Sequence, residues 1–206
     1  MIGSGFEYVV KVQPLKGAGQ DRAAVFERDG GVLIALADGA GGTSNGAVAA
    51  QAIIDTAEML RNADAEWSIV LRQLDGDSLR LDGGQSTAVV LAVTEHGVRG
   101  ASVGDSGAWL IRNGDIDDLT HAQHAKPLVG AGATPVSTAT GPLGAGTLLV
   151  ASDGLFRYAK IADIGKIASG PDLAAAAEQL IELVRIQPAG NVPDDVAIVL
   201  CRVLVV

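Results

Sequence analysis

The sequence predicts an α+β fold in which packed β-sheets are covered by helices, and three observations carry that expectation. Apolar segments rich in β-branched residues recur along most of the chain. Two longer segments have the composition and end signals of helices. Strands and helices do not alternate strictly, as a doubly wound parallel sheet would require.

In chain order, the strand-like segments are Phe6 to Val12, Ala23 to Arg28, Val32 to Ala37, Ser86 to Thr94, Val98 to Val103, Ala108 to Arg112, Thr147 to Ala151 and Val196 to Val205. Asp29-Gly30 and Asn113-Gly114 punctuate them as turn dipeptides, because Gly reaches positive φ without strain. A helix is expected over Asn45 to Asn62, after a Thr-Ser capping signal, and another over Pro171 to Ile186, which opens on Pro and continues in good helix formers. Shorter helices are expected at Glu66 to Leu74 and Ile161 to Ser169. The stretch from Thr120 to Gly146, rich in Gly, Ala, Pro and Thr, reads as loop. No repeat or linker divides the 206 residues, so one domain spanning 1–206 is expected.

Hydrophobic residues make up 48% and aromatic ones 3%, which predicts a core of Ala, Val, Leu and Ile. The net charge of -9 supplies no basic stripe for nucleic acid and would repel an anionic membrane. A phosphorylated partner meets the same repulsion, so binding one requires local positive charge. The lone Cys201, inside AIVLCRVLVV, reads as a buried structural thiol, and one Cys allows neither an internal disulfide nor a Cys-zinc site. The N-terminus lacks the pattern of a secretory leader and no stretch approaches the ~20 apolar residues of a membrane span, so a cytoplasmic location is expected.

Asp-Gly occurs five times, at Asp29, Asp38, Asp75, Asp82 and Asp153, and taken singly each reads as a turn. Two differ in context. Asp38 ends VLIALADG and Asp153 ends TLLVASDG, so in each an apolar strand delivers a carboxylate at its tip, and the Gly lets a cation approach the backbone. Asp105 sits in the turn of GASVGDSGAWLI, Asp194 and Asp195 precede the last strand, and Asp21 precedes the second. A sandwich can bring these strand mouths to one edge. Crowded carboxylates repel one another, and hard cations such as Mg²⁺ or Mn²⁺ relieve that conflict. His96, His121 and His124 show no zinc-ligand spacing and read as surface or loop residues.

The ordered motifs GAGQDRAAVF, LIALADGAGGTSNGAVAAQAI, GGQSTAVVLAVTEHGVRGASVGDSGAWLIRNG, LLVASDGLF and PDDVAIVLCRV resemble those of the type 2C metal-dependent serine/threonine protein phosphatases, in the family's order and over nearly the whole chain. The resemblance implies a four-layer α/β/β/α sandwich of two antiparallel sheets flanked by helices, with the site at one edge. By position it implies that Asp38 bridges two metal ions, that the Gly39 carbonyl joins one of them, and that Asp153 and Asp194 complete the second. Asp21 would hold metal-bound waters, and Asp105 with Asp153 would serve a third, weaker ion. Lys16 falls where the family places a phosphate-binding Arg. The implied reaction is hydrolysis of phosphoserine or phosphothreonine in proteins by a bridging hydroxide, using two Mn or Mg ions or three, with no phosphoenzyme; a phosphoprotein is the implied substrate and a Ser/Thr kinase the implied counterpart.

Several positions depart from the pattern. Gln20 replaces an acid, Gly107 stands where GDSR would place Arg, Asp195 replaces the usual Asn, which leaves open whether Asp194 or Asp195 is the metal ligand, and Ala40 occupies a position where some members keep a His. Lys16 can attract a phosphate but cannot grip it with a two-pronged fork. The region 115–146 lacks most of the flap insertion of bacterial relatives, which implies an open, shallow site. These departures leave two expectations: an active phosphatase, or a catalytically weak relative that works as a regulatory or binding module.

Overall fold

Ten strands pair into two antiparallel sheets of five in the computed structural model, which describes residues 5–40, 45–77, 81–186 and 190–204. The first sheet has the order β1 (Phe6–Gln13), β10 (Val196–Val203), β9 (Thr147–Ala151), β6 (Gly107–Arg112), β7 (Asp115–Asp118). The second runs β2 (Arg22–Arg28), β3 (Gly31–Ala37), β4 (Ala88–Thr94), β5 (Gly97–Val103), β8 (Val136–Thr140). The helices are α1 (Gly46–Met59), α2 (Trp67–Asp75), α3 (Asp153–Phe156), α4 (Ile161–Ala168) and α5 (Leu173–Val184).

Alternation along the central strands explains the layering. In β3, Val32, Ile34 and Leu36 pack between the sheets against Leu110, Leu148, Val150 and Val199, while Leu33, Ala35 and Ala37 pack against Ala49, Ile53 and Leu71 of α1 and α2. In the other sheet, Leu149, Ile198 and Leu200 face Ile164, Ala177 and Leu180 of α4 and α5. Strands buried on both faces read as continuous apolar runs, which is why their sequences do not alternate with polar residues. The result is the expected α/β/β/α order. Cys201 is fully buried between the sheets, and burial pushes its thiol up to about 12.

Two strands were not expected from the sequence. β7 is Asp-Ile-Asp-Asp, too short and acidic to show a strand pattern, yet the Asn113-Gly114 turn folds it back onto β6 in register Arg112↔Asp115. β8 overturns the loop reading for residues 136–140: Val-Ser-Thr-Ala-Thr carries one large apolar residue, and pairing with β5 rather than burial makes it a strand. Ser86, expected inside β4, instead forms an isolated bridge to Gly39. Thr43 and Ser44, the expected cap of α1, lie outside the described residues, as does Val205; the cap position is held by Asn45, whose amide reaches the Asp82 carbonyl at 2.5 Å. At α5, Asp172 caps by accepting the Ala175 amide at 2.9 Å.

Candidate metal centre

β3 runs out at Ala37, and the next residue, Asp38, is fixed by the neighbouring chain. Its amide donates to Thr87 Oγ1 at 2.9 Å, and its carbonyl accepts from the Thr87 amide at 2.9 Å and from Ser86 Oγ at 2.8 Å. Thr87 Oγ1 lies 2.6 Å from Ser106 Oγ, which ties the Asp38 corner to the turn that carries Asp105. That turn needs Gly104, with φ +97: a Cβ there would come within 2.7 Å of Thr87 Cγ2. Gly39 is buried against the start of α1, its backbone admitted there because Gly46 also lacks a side chain.

The second corner is Ser152-Asp153-Gly154. β9 ends at Ala151, so Asp153 is not at the strand tip that the sequence suggests; it is the first residue of α3. Ser152 donates its amide to the Ala197 carbonyl at 3.0 Å, accepts the Ala197 amide on Oγ at 2.9 Å, and hydrogen-bonds the Asp21 carboxyl. Gly154 presses onto the Asp195 carbonyl so closely that any Cβ would overlap it.

These corners bring one carboxylate oxygen each from Asp38, Asp105 and Asp153 within 4.8 Å of one another. Burial, reinforced by the charges of Asp21, Asp153 and Asp105, pushes the Asp38 carboxyl up to about 9. Asp21 is 1% exposed, and burial with the charge of Asp195 lifts it to about 6 against the opposing bond from Ser152. Burial and the Asp105 charge raise Asp153 as well, opposed by Arg157. Asp194 is turned toward the same group, with Oδ2 3.9 Å from Arg157 Nη1. Its neighbour Asp195 points elsewhere: Oδ1 accepts the Leu15 amide at 2.7 Å and Oδ2 the Gln20 amide at 2.5 Å, so its carboxylate holds the loop between β1 and β2. Lys16 is exposed on that loop. All three His are exposed.

Sequence reasoning missed Arg157. Its Nη2 lies 2.5 Å from Asp153 Oδ2 and 3.8 Å from Asp105 Oδ2. The available signal was its spacing of four from Asp153, which matters only once a helix is expected after Ser152-Asp153-Gly154. Gly107, at the position where GDSR would place Arg, has the Phe156 ring over it, and that ring packs on Trp109 at a centroid distance of 4.4 Å.

The donor set fits hard divalent cations. It is made of carboxylates, the one cation paired with them among the described residues is the Arg157 guanidinium, and buried Asp21 Oδ2 has no hydrogen-bond partner there. A separate groove of 630 Å³, lined by Arg28, Glu66, Trp67, Arg99 and Thr138 among others, contains none of these acids. No helix among the described residues is long and apolar enough to cross a membrane.

Comparison with known proteins gives the same fold. The family model for Stage II sporulation protein E (SpoIIE) matches residues 28–204, a span that begins after Lys16 and Asp21. A variant of a bacterial serine phosphatase superposes with a TM-score of 0.78 at 23% identity, covering 96% of this chain and 97% of that one. The Mycobacterium tuberculosis serine/threonine phosphatase PstP/Ppp gives 0.72 at 23% identity, covering 96% and 98%. The catalytic domain of PstP in complex with two manganese ions gives 0.74 at 22% identity, covering 97% and 99%. No curated protein matches.

Proposed function

Because the chain belongs to the Stage II sporulation protein E (SpoIIE) family, within the type 2C-like fold, we propose that it is a metal-dependent phosphatase of phosphoserine and phosphothreonine in proteins. The observation that carries this reading is the convergence of Asp38, Asp105 and Asp153 within 4.8 Å, with Asp21 and Asp194 beside them. In it, Asp38, the Gly39 carbonyl, Asp153 and Asp194 would hold two Mn²⁺ or Mg²⁺ ions. Asp194 rather than Asp195 is the ligand, since both Asp195 oxygens accept backbone amides. When bound, the ions supply a water acidic enough to act as nucleophile near neutral pH and offset the charge of the phosphoryl group.

The chain's own residues do the rest. Asp21, anchored by Ser152, orients water at the inner edge of the site. Lys16, exposed on the loop that Asp195 clamps, draws the phosphate in as a point charge. The short 115–146 region leaves the site open to a protein-borne phosphate, and residues 1–206 work as one unit. A phosphoprotein substrate, a cognate Ser/Thr kinase and a cytoplasmic setting complete the reading. The specific departures at Lys16 and Ala40 support a second reading, a catalytically weak regulatory module. Phosphate release from a phosphothreonine peptide with and without Mn²⁺ separates the two: the enzyme releases phosphate only with the ion, and the module binds Mn²⁺ without turnover.

A further inference from the structure

Arg157 is the one guanidinium within ion-pair distance of the cluster's carboxylates among the described residues, and the backbone that carries it is held on several sides. Its amide donates to the Asp153 carbonyl at 2.8 Å. The short helix before it is pinned on one side by Gly154 against the Asp195 carbonyl and on the other by fully buried Leu155 and by the Phe156 ring on Trp109. From this base the side chain spans three acids that come from three corners of the fold: Asp153 at 2.5 Å, Asp105 at 3.8 Å and Asp194 at 3.9 Å. Asp38 and Asp21, the more buried members, form no ion pair with it within 4.0 Å and carry the largest upward shifts. The positive charge therefore covers the outer side of the cluster and leaves the inner side to be neutralised by something else.

We propose that Arg157 is a built-in cation of this centre: it fills the outer position between Asp105 and Asp153, so that divalent ions load only the inner positions around Asp38. The inference rests on the metal-binding reading above. A guanidinium and a divalent ion cannot both neutralise the same pair of oxygens without strong like-charge repulsion, so the side chain sets how many ions the centre takes. It acts as a positioning residue: one nitrogen, Nη2, lies 2.5 Å from Asp153 Oδ2 and 3.8 Å from Asp105 Oδ2, so a single positive group faces both carboxylates.

The test is calorimetric titration of the full chain with Mn²⁺ alone, comparing wild type with Arg157→Gln, which keeps much of the length but not the charge, and with Arg157→Lys. The expected result is that Arg157→Gln binds one more Mn²⁺ per chain than wild type, more weakly than the others, while Arg157→Lys matches wild type. Equal ion numbers in wild type and Arg157→Gln would overturn the proposal. So would an extra weak ion in Arg157→Lys, which keeps the charge. Should no chain bind Mn²⁺, the metal-binding reading fails and this inference with it; should all bind it in equal number, only this inference fails. Thermal melting of each chelated variant verifies that it is folded before titration.

Discussion

The Asp195 carboxylate accepts the backbone amide of Gln20 at 2.5 Å, joining residues 175 apart in sequence across the edge where the acids gather. Together with the Leu15 amide at 2.7 Å on its other oxygen, this bond makes Asp195 the clamp of the loop between β1 and β2, and frees its neighbour Asp194 to face the cluster. Gly19, with φ +64, allows the fit: a Cβ there would come within 2.8 Å of the same carboxylate.

The two adjacent acids should therefore behave differently. Asp195→Ala leaves two amides without their charged acceptor and should lower stability by about 1–3 kcal/mol, with Mn²⁺ stoichiometry retained. Asp194→Ala should leave melting nearly unchanged in chelator and weaken Mn²⁺ binding. Thermal denaturation and calorimetry on both variants check this.

Stability of the metal-free protein should fall as pH rises. Asp38 is held near 9 and Asp21 near 6 in the folded chain, against an ordinary aspartate value of 3.8. A carboxyl raised on folding binds a proton that the unfolded chain has already lost. Its contribution is present in full below about pH 4 and is lost as pH climbs through the folded value, so Asp21 acts between about pH 4 and 6 and Asp38 up to about 9. Melting in chelator across pH 5 to 9 should show a declining Tm, Asp38→Asn should flatten the decline, and added Mn²⁺ should raise Tm most at the alkaline end.

Gly154→Ala should be severely destabilising although it adds one methyl group. The new Cβ would overlap the Asp195 carbonyl, and neither backbone can retreat without breaking the Ser152 to Ala197 pairing. A loss of about 3 kcal/mol in chemical denaturation is expected, at the upper end for overpacking.

Cys201 should be inert in the native protein. Fully buried and with its thiol pushed up to about 12, it offers neither access nor thiolate. A disulfide reagent should label it only after unfolding, and rapid native labelling would contradict its place between the sheets.

The sandwich was legible because its central strands are long apolar runs: VLIALA and TLLVA can be little else than buried strands. Asp38 was legible for the same reason, standing directly after one of them. Asp153 was found and the strand's end at Ala151 was expected, but nothing in LLVASDGLF marks the helical turn that follows, on which Asp153 is the first residue. β7 and β8 were invisible because pairing with a neighbour, not burial of large side chains, makes them strands. Arg157 was hidden behind the same missed turn. The choice between Asp194 and Asp195 depended on a loop 175 residues away, which no local pattern encodes.

On the proposed function, the acids around Asp38 hold divalent cations for phosphate hydrolysis. Mn²⁺-dependent phosphate release from a phosphothreonine peptide by wild type, Asp38→Asn and Asp153→Asn tests this. Wild type should turn over only with the ion, and each variant should lose at least about a hundredfold in rate, or roughly 2.7 kcal/mol of barrier, while remaining folded. No metal-dependent turnover by wild type, or turnover unchanged in both variants, would contradict it.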